Sequence, residues 1–115
     1  MKYIDGFLAA VPTNNGEVYI EHVKQAAHFF KKYGAIKLVE CWGDDVKEGK
    51  VTSFPQAVKC EDNKTVVFSW VVWPSKQFRD KGMQEMLEDP RVKEMSMPFD
   101  TSRLIYDGFE VIFDE

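Results

Sequence analysis

The longest apolar run in the chain, TVVFSWVVW at Thr65–Trp73, predicts a β-strand, because nearly every residue in it is β-branched or aromatic. Side chains alternate between the two faces of a strand, and in this run both faces are apolar. A strand of this kind is typical of the centre of a sheet that is covered on both sides. We therefore expect Thr65–Trp73 to be a central strand.

Hydrophobic alternation predicts three further strands, at Lys2–Val11, Ala35–Trp42 and Arg103–Phe113. The first and the last of these share a short motif, since Asp5-Gly6-Phe7 recurs as Asp107-Gly108-Phe109. A glycine inside a strand often marks a close approach of another group to the backbone. If the first and last strands pair antiparallel, both glycines are expected near one rung of the sheet.

Amphipathic helices are predicted between the strands. The first follows the candidate N-cap residues Thr13–Asn15, runs to about Tyr33 and ends at Gly34, which suits the left-handed C′ position. The second begins after Ser75 as N-cap, and a short helix restarts at Asp89–Pro90, with aspartate as the cap and proline at the first helical position.

The order of these elements is strand, helix, strand, strand, helix, strand. This pattern is typical of an α+β, ferredoxin-like βαββαβ fold with a four-stranded antiparallel sheet. We expect residues 1–115 to form one such domain. The connection 43–64 is longer than unstructured loops usually are, so we expect a strand extension or a short helical turn within it.

The second face of the sheet leads to a prediction about assembly. Two helices can cover only one face, although the strands are apolar on both. Leaving roughly 400 Å² of apolar surface in water would forgo on the order of 10 kcal/mol as an upper bound. We therefore expect a homodimer that pairs sheet to sheet and closes into a dimeric α+β barrel, with partial cover by a long loop as the alternative.

Charge and composition exclude several classes. The net charge is −4 with acids and bases interspersed, which argues against a nucleic-acid surface, and no apolar run approaches the roughly 20 residues of a membrane span. The opening residues MKYIDGF do not have the pattern of a signal peptide, so we expect a cytoplasmic protein with Cys41 and Cys60 reduced. No metal-binding spacing is present, and we expect neither a metal nor a cofactor.

Several ordered sequence words resemble a bacterial protein family. They are ECWGDDV at Glu40–Val46, FSW at Phe68–Trp70, WPSK at Trp73–Lys76, DPR at Asp89–Arg91, MPFD at Met97–Asp100 and YDGFE at Tyr106–Glu110. Together they resemble the YbaA-like family, domain of unknown function 1428, within the dimeric α+β barrel superfamily. The resemblance covers essentially the whole chain. It implies a ferredoxin-like fold, a sheet-to-sheet dimer and a bacterial cytoplasmic setting, and it supplies no catalytic residues.

Two residues are candidates for catalysis. His22 falls inside the apolar arc of the first helix, where an imidazole could act as a general base or bind a ligand. The alternative is a buried histidine that is hydrogen-bonded to a tyrosine, a carboxylate or a carbonyl. Asp5 lies in an otherwise apolar strand and is a second catalytic candidate, or else it bonds a bulged backbone or an arginine.

Three residues are candidates for ligand binding. Arg79 and Arg103 could clamp a carboxylate or phosphate, although salt bridges to nearby aspartates are the alternative. Trp70 could line a pocket for an aromatic substrate, or could anchor a core or an interface.

Two functions from different classes are consistent with these features. One is a small-molecule-binding protein or a cofactor-free, oxygenase-like enzyme with a pocket between helices and sheet, by analogy with superfamily relatives. The other is a non-catalytic dimeric module that binds or regulates a partner. An apolar pocket that contains His22 or Asp5 would favour the first class.

Overall fold

The structure is a computed structural model that describes residues 1–115. It contains a sheet of four strands, which are β1 at Tyr3–Pro12, β2 at Lys37–Trp42, β3 at Lys64–Trp73 and β4 at Ile105–Glu110. All neighbouring strands are antiparallel, in the order β2-β3-β1-β4. This topology confirms the predicted ferredoxin-like fold and places β3 between two neighbours, as its two apolar faces indicate.

Four helices accompany the sheet: α1 at Gly16–Lys32, α2 at Phe54–Ala57, α3 at Lys76–Glu88 and α4 at Pro90–Lys93. Short 3₁₀ turns occupy Thr13–Asn15 and Thr101–Arg103. The helix α2 confirms the helical turn expected within the connection 43–64. No helix in the structure is both long enough and apolar enough to cross a bilayer.

Most predicted helix boundaries are confirmed by their capping geometry. The Ser75 hydroxyl accepts the backbone N–H of Phe78 at 3.2 Å, and the Asp89 carboxylate accepts that of Arg91 at 2.9 Å. Gly34 has φ +110, a left-handed conformation that favours glycine after a helix.

The N-cap prediction at Thr13–Asn15 is confirmed in position, because Asn15 is the N-cap residue of α1, but the expected side-chain hydrogen bond is absent. These residues form a 3₁₀ turn ahead of α1, and no side chain there caps a helix. The Thr13 hydroxyl lies 2.8 Å from the hydroxyl of Thr65 instead, so that the end of β1 is tied to the start of β3. A side chain with a partner on a neighbouring strand is no longer available to the helix N-terminus.

The main core lies between the helices and one face of the sheet. Its buried members are Phe29, Phe30, Ala35, Val71, Trp73 and Met86. The ring of Trp73 is fully buried and meets the Phe30 ring edge to face, with 6.2 Å between centroids. The odd-numbered residues of β3 face this core, which identifies the face that the helices cover.

The even-numbered face of β3 is only partly covered, and we call it the outer face. Val58, just after α2, packs on Ala10 and Val66, and the Phe54 ring meets the Phe68 ring at 6.1 Å. The connection 43–64 therefore covers one end of the outer face. Partial cover by a long loop is the alternative to a face covered entirely by a second copy of the chain. Beyond it, Phe68, Ile105 and Phe109 remain 44%, 39% and 59% exposed.

The last strand is shorter than the predicted Arg103–Phe113. Strand β4 pairs only with β1, from Leu8 opposite Ile105 to Tyr3 opposite Glu110, and β1 begins at Tyr3. Beyond that point one further backbone hydrogen bond joins the Val111 N–H to the Lys2 carbonyl, and the apolar side chains of Ile112 and Phe113 stay exposed.

The repeated Asp-Gly-Phe motif is explained by strand pairing. Asp5 lies opposite Gly108, and Gly6 lies opposite Asp107, so the two glycines are diagonal neighbours as predicted. On the outer face the Phe109 ring covers Gly6, where a Cβ would lie 3.5 Å from that ring. On the helix-covered face the Arg79 guanidinium and the Tyr3 ring lie directly over Gly108 and leave no room for a Cβ.

Candidate functional site

An apolar pocket of about 280 Å³ lies between α1, α3 and the covered face of the sheet. Twenty residues line it, and 17 of them are hydrophobic, so that a ligand inside would be held chiefly by apolar contact. Four of the five methionines in the chain are in this wall: Met83, Met86, Met95 and Met97. Methionine is flexible and polarizable, which suits a wall that adapts to its contents.

The polar groups of the pocket are few and close together. The Tyr19 hydroxyl donates a 2.7 Å hydrogen bond to Oε1 of Glu40. Ser69 is the direct partner of Glu40 in the β2–β3 pair, and both line the pocket. The His22 ring also lines the pocket and lies 6.3 Å from the Tyr19 ring, measured between centroids.

The local sequence explains why these groups meet. Tyr19 and His22 are three residues apart on α1, and residues at that spacing share one helix face. Glu40 is two residues from Leu38 on β2, and residues at that spacing share one strand face. The helix and the strand thus bring a phenol, an imidazole and a carboxylate to the same apolar space.

The surroundings shift the proton affinities of all three groups. Burial raises the pKa of the Glu40 carboxyl, and hydrogen bonds from Tyr19 and Ser69 oppose that rise without cancelling it. Burial, followed by the charge of Glu40, raises the pKa of the Tyr19 phenol and keeps its proton on the oxygen. Burial lowers the pKa of the His22 imidazole, which favours the neutral ring.

The raised pKa of Glu40 predicts a pH-dependent effect of the Glu40→Gln substitution. The folded state binds the carboxyl proton more tightly than the unfolded state does, so the stability from this group is present below about pH 4.5 and is lost as the pH rises through the folded-state pKa. Glutamine has no such proton. We expect urea unfolding at pH 4 and pH 7 to show the variant gaining stability relative to the parent chain at the higher pH; a constant difference would contradict this.

Asp5, which is buried, and Arg79, which is partly exposed, form an ion pair away from the pocket. Arg79 Nε lies 3.0 Å from Oδ1 of Asp5, and the Trp73 indole N–H donates to Oδ2 at 2.9 Å. The guanidinium also bonds Asp80 at 2.7 Å and lies over the Tyr3 ring. These contacts match the structural alternative for both residues. Neither side chain lines the pocket, and their catalytic and binding roles stay predictions.

Arg103 and Trp70 lie elsewhere again. Arg103 forms an ion pair with Glu61 and approaches Asp100 at 3.6 Å. Trp70 is on the outer face, with its ring 5.5 Å from that of Phe68. Of the five predicted site residues, only His22 lines the pocket. A cavity beside its ring is what a role as general base or ligand-binding residue would require.

Sequence reasoning missed Glu40, Tyr19 and Ser69 as site residues. A signal was present for two of them. Glu40 falls on the Leu38 face of β2, where a carboxylate interrupts an apolar row, and Ser69 is a small hydroxyl in the apolar run of β3. Tyr19 gave no separate signal, because an aromatic residue on the apolar arc of a helix is ordinary core composition.

No three histidine, cysteine, aspartate or glutamate side chains are grouped so that they could hold a metal ion. Both cysteines are free thiols, with Cys41 exposed and Cys60 partly buried. The polar side chains that line the pocket include the Glu40 carboxylate, the Tyr19 phenol, the Ser69 hydroxyl and the His22 imidazole.

Fold and pocket together define the class: an α+β protein with a ferredoxin-like sheet and an apolar cavity that encloses a single carboxylate. The chain belongs to the family described as "Protein of unknown function (DUF1428)", whose model matches residues 2–101. It is 55% identical over 117 residues to "Uncharacterized protein YbaA" of Escherichia coli (strain K12), with 100% of both chains covered. The YbaA proteins of Escherichia coli O157:H7 and Shigella flexneri match with the same identity and coverage. The predicted YbaA-like family membership is confirmed, and these organisms support a bacterial origin.

Proposed function

We propose that this chain is a small-molecule-binding protein, or a small cofactor-free, oxygenase-like enzyme, whose site is the pocket between the helices and the sheet. The observation that carries the proposal is that the hydrogen-bonded pair Glu40–Tyr19 and the His22 ring all line the same apolar pocket. An apolar pocket with a few convergent polar groups and shifted pKa values is the usual form of a binding or active site.

The size of the cavity limits the ligand. At about 280 Å³ the pocket is at the lower end of the range of small-molecule sites. Its apolar walls match a compact hydrocarbon or aromatic body, and the polar end matches one hydrogen-bonding group on that body.

The enzymatic form of the proposal gives His22 and Glu40 the role of proton acceptors. A neutral imidazole accepts a proton, and its lowered pKa keeps the ring neutral near pH 7. Glu40, with its raised pKa, is closer to the range in which a carboxylate exchanges protons at neutral pH. Either group could take a proton from a substrate that is held against the polar end.

Binding of a neutral fluorescent probe tests the pocket. N-phenyl-1-naphthylamine is uncharged at neutral pH and brightens in apolar surroundings. We expect it to bind the parent chain and to lose at least about tenfold in affinity when Ala26, which lines the pocket, is replaced by phenylalanine to fill the space. Gln25→Phe on the exposed side of α1 is the control. Equal binding by both variants would contradict the proposal.

The second candidate, a non-catalytic dimeric module, is supported by the outer face. Phe68, Ile105 and Phe109 are grouped there with large exposed fractions, and contiguous apolar surface of this kind usually marks an interface. We propose that a second copy of the chain covers this face about a twofold axis, which buries the same residues on both copies.

Sedimentation at micromolar concentration tests the dimer. We expect a dimer for the parent chain and a monomer for Phe109→Glu, because a carboxylate at the seam would be desolvated without a partner. Phe78→Glu is the matched control, since Phe78 on α3 is 56% exposed and Phe109 is 59% exposed. A monomeric parent chain, or equal dissociation in the two variants, would contradict the sheet-to-sheet dimer.

We also propose a cytoplasmic location. It is supported by the two free thiols, since proteins of oxidising compartments generally pair their cysteines.

A further inference from the structure

Three carboxylates of this chain are withdrawn from solvent, and they differ in their partners. Asp5 is 2% exposed and is paired with Arg79, and Asp89 is 6% exposed and is paired with Arg91 at 2.9 Å. Glu40 is partly buried, and no lysine or arginine pairs with it. Because a buried carboxylate is costly unless a cation compensates it, the missing partner distinguishes Glu40 from the other two.

The pocket around Glu40 supplies no positive charge of its own. No lysine or arginine is among the 20 lining residues, and the other lining residues that can titrate are Tyr19, His22 and Tyr106. Burial lowers the pKa of His22 and thus disfavours the one cation that the wall could form. A carboxylate or phosphate ligand would therefore bring a second negative charge towards Glu40 with nothing to offset it.

Glu40 keeps the capacity to accept a further hydrogen bond. An ionised carboxylate offers about four lone-pair positions on its two oxygens. The Tyr19 hydroxyl occupies one position on Oε1, and Ser69 stands opposite Glu40 in the neighbouring strand. The remaining positions are available to a donor that enters the cavity.

We infer that the ligand of this pocket is a lipophilic cation, an apolar body that carries one protonated amine, and that Glu40 selects it. The ammonium would give the carboxylate the charge partner that the chain does not supply, and a hydrogen bond between charged groups is stronger than one between neutral groups. This inference rests on the proposed function of the pocket and specifies the chemical class that the pocket takes.

The rest of the wall suits a cation of this type. Aromatic rings attract a cation through their faces, and Tyr19 and Phe99 lie 6.1 Å apart at the polar end, measured between ring centroids. The methionine side chains provide polarizable surface for the apolar body. The net charge of −4 also raises the local concentration of cations over that of anions.

Three ligands of matched shape test the inference. They are 4-phenylbutylamine, 4-phenylbutanol and 4-phenylbutyrate, titrated calorimetrically into the full chain at pH 8, where the amine is protonated. We expect the amine to bind about tenfold more tightly than the alcohol and the carboxylate to bind more weakly than either. Glu40→Gln is expected to remove the preference for the amine while leaving the alcohol bound.

Glu48→Gln is the control for overall charge, because it removes the same charge from an exposed loop outside the pocket. A preference for the amine that survives Glu40→Gln, or that Glu48→Gln abolishes equally, would overturn the inference. So would equal affinity for amine and alcohol, or failure of the amine to bind a chain that still binds N-phenyl-1-naphthylamine. If that neutral probe and all three ligands fail to bind, the proposed function itself is wrong.

Discussion

Replacing Arg79 with methionine is expected to lower the free energy of unfolding by about 3–5 kcal/mol, as measured by urea denaturation. Arg79 is the only cation that contacts the Asp5 carboxylate, whose side chain is 3% exposed. Without it, the Trp73 indole N–H at 2.9 Å would be the one remaining side-chain donor to a buried negative charge. The loss is large because the charge stays buried after its partner has gone.

Two further variants separate the ion pair from other effects. Asp5→Asn combined with Arg79→Met is expected to be more stable than Arg79→Met alone, because the double variant no longer buries a charge. Lys76→Met removes a positive charge from an exposed position at the start of α3 and is expected to change stability little. A clamp function of Arg79 would give the opposite pattern, with Arg79→Met as stable as Lys76→Met but deficient in ligand binding.

Replacing Gly82 with alanine is expected to destabilise the chain by about 2 kcal/mol, although alanine is the better helix former by ~1 kcal/mol. A Cβ on Gly82 would lie 2.6 Å from Cζ3 of Trp73 and would also strike the backbone carbonyl of Tyr33. Neither group can turn aside, since the Trp73 ring is fully buried and the Tyr33 carbonyl belongs to the backbone. Thermal or urea unfolding measures the loss.

Gly16 provides the matched control in another helix. A Cβ there would lie 3.8 Å from the Trp42 ring, which is an ordinary contact distance. Gly16→Ala is therefore expected to leave stability unchanged or to raise it slightly through helix propensity. If the two glycine variants behave alike, the close contact between α3 and the sheet is not what requires glycine at position 82.

The fold could be predicted because its signals are local and mutually consistent. The apolar run of β3, the amphipathic period of α1 and the caps at Ser75 and Asp89 each depend on residues a few positions apart. The end of β4 could not be predicted in this way. Its apolar residues continue to Phe113, but a strand lasts only as long as its partner, and β1 begins opposite Glu110.

The candidate site could be predicted only in part. His22 stood out because an imidazole on an apolar helix face is unusual. Its neighbours were missed because contact between Tyr19 and Glu40, 21 positions apart, depends on the distance between helix and sheet. Whether that space is filled or open is decided by side-chain packing, which periodicity does not describe. Asp5, like His22, is a polar residue in an apolar segment, but its carboxylate already accepts a hydrogen bond from Arg79.

The four methionines of the pocket wall make the cavity vulnerable to peroxide. Oxidation of a thioether to the sulfoxide replaces an apolar sulfur with a strongly polar S=O group. At Met86, which is 7% exposed and belongs to the main core, that group would be placed among apolar side chains. If the pocket binds an apolar molecule as proposed, we expect oxidation of these methionines to weaken that binding and reduction of the methionine sulfoxides to restore it.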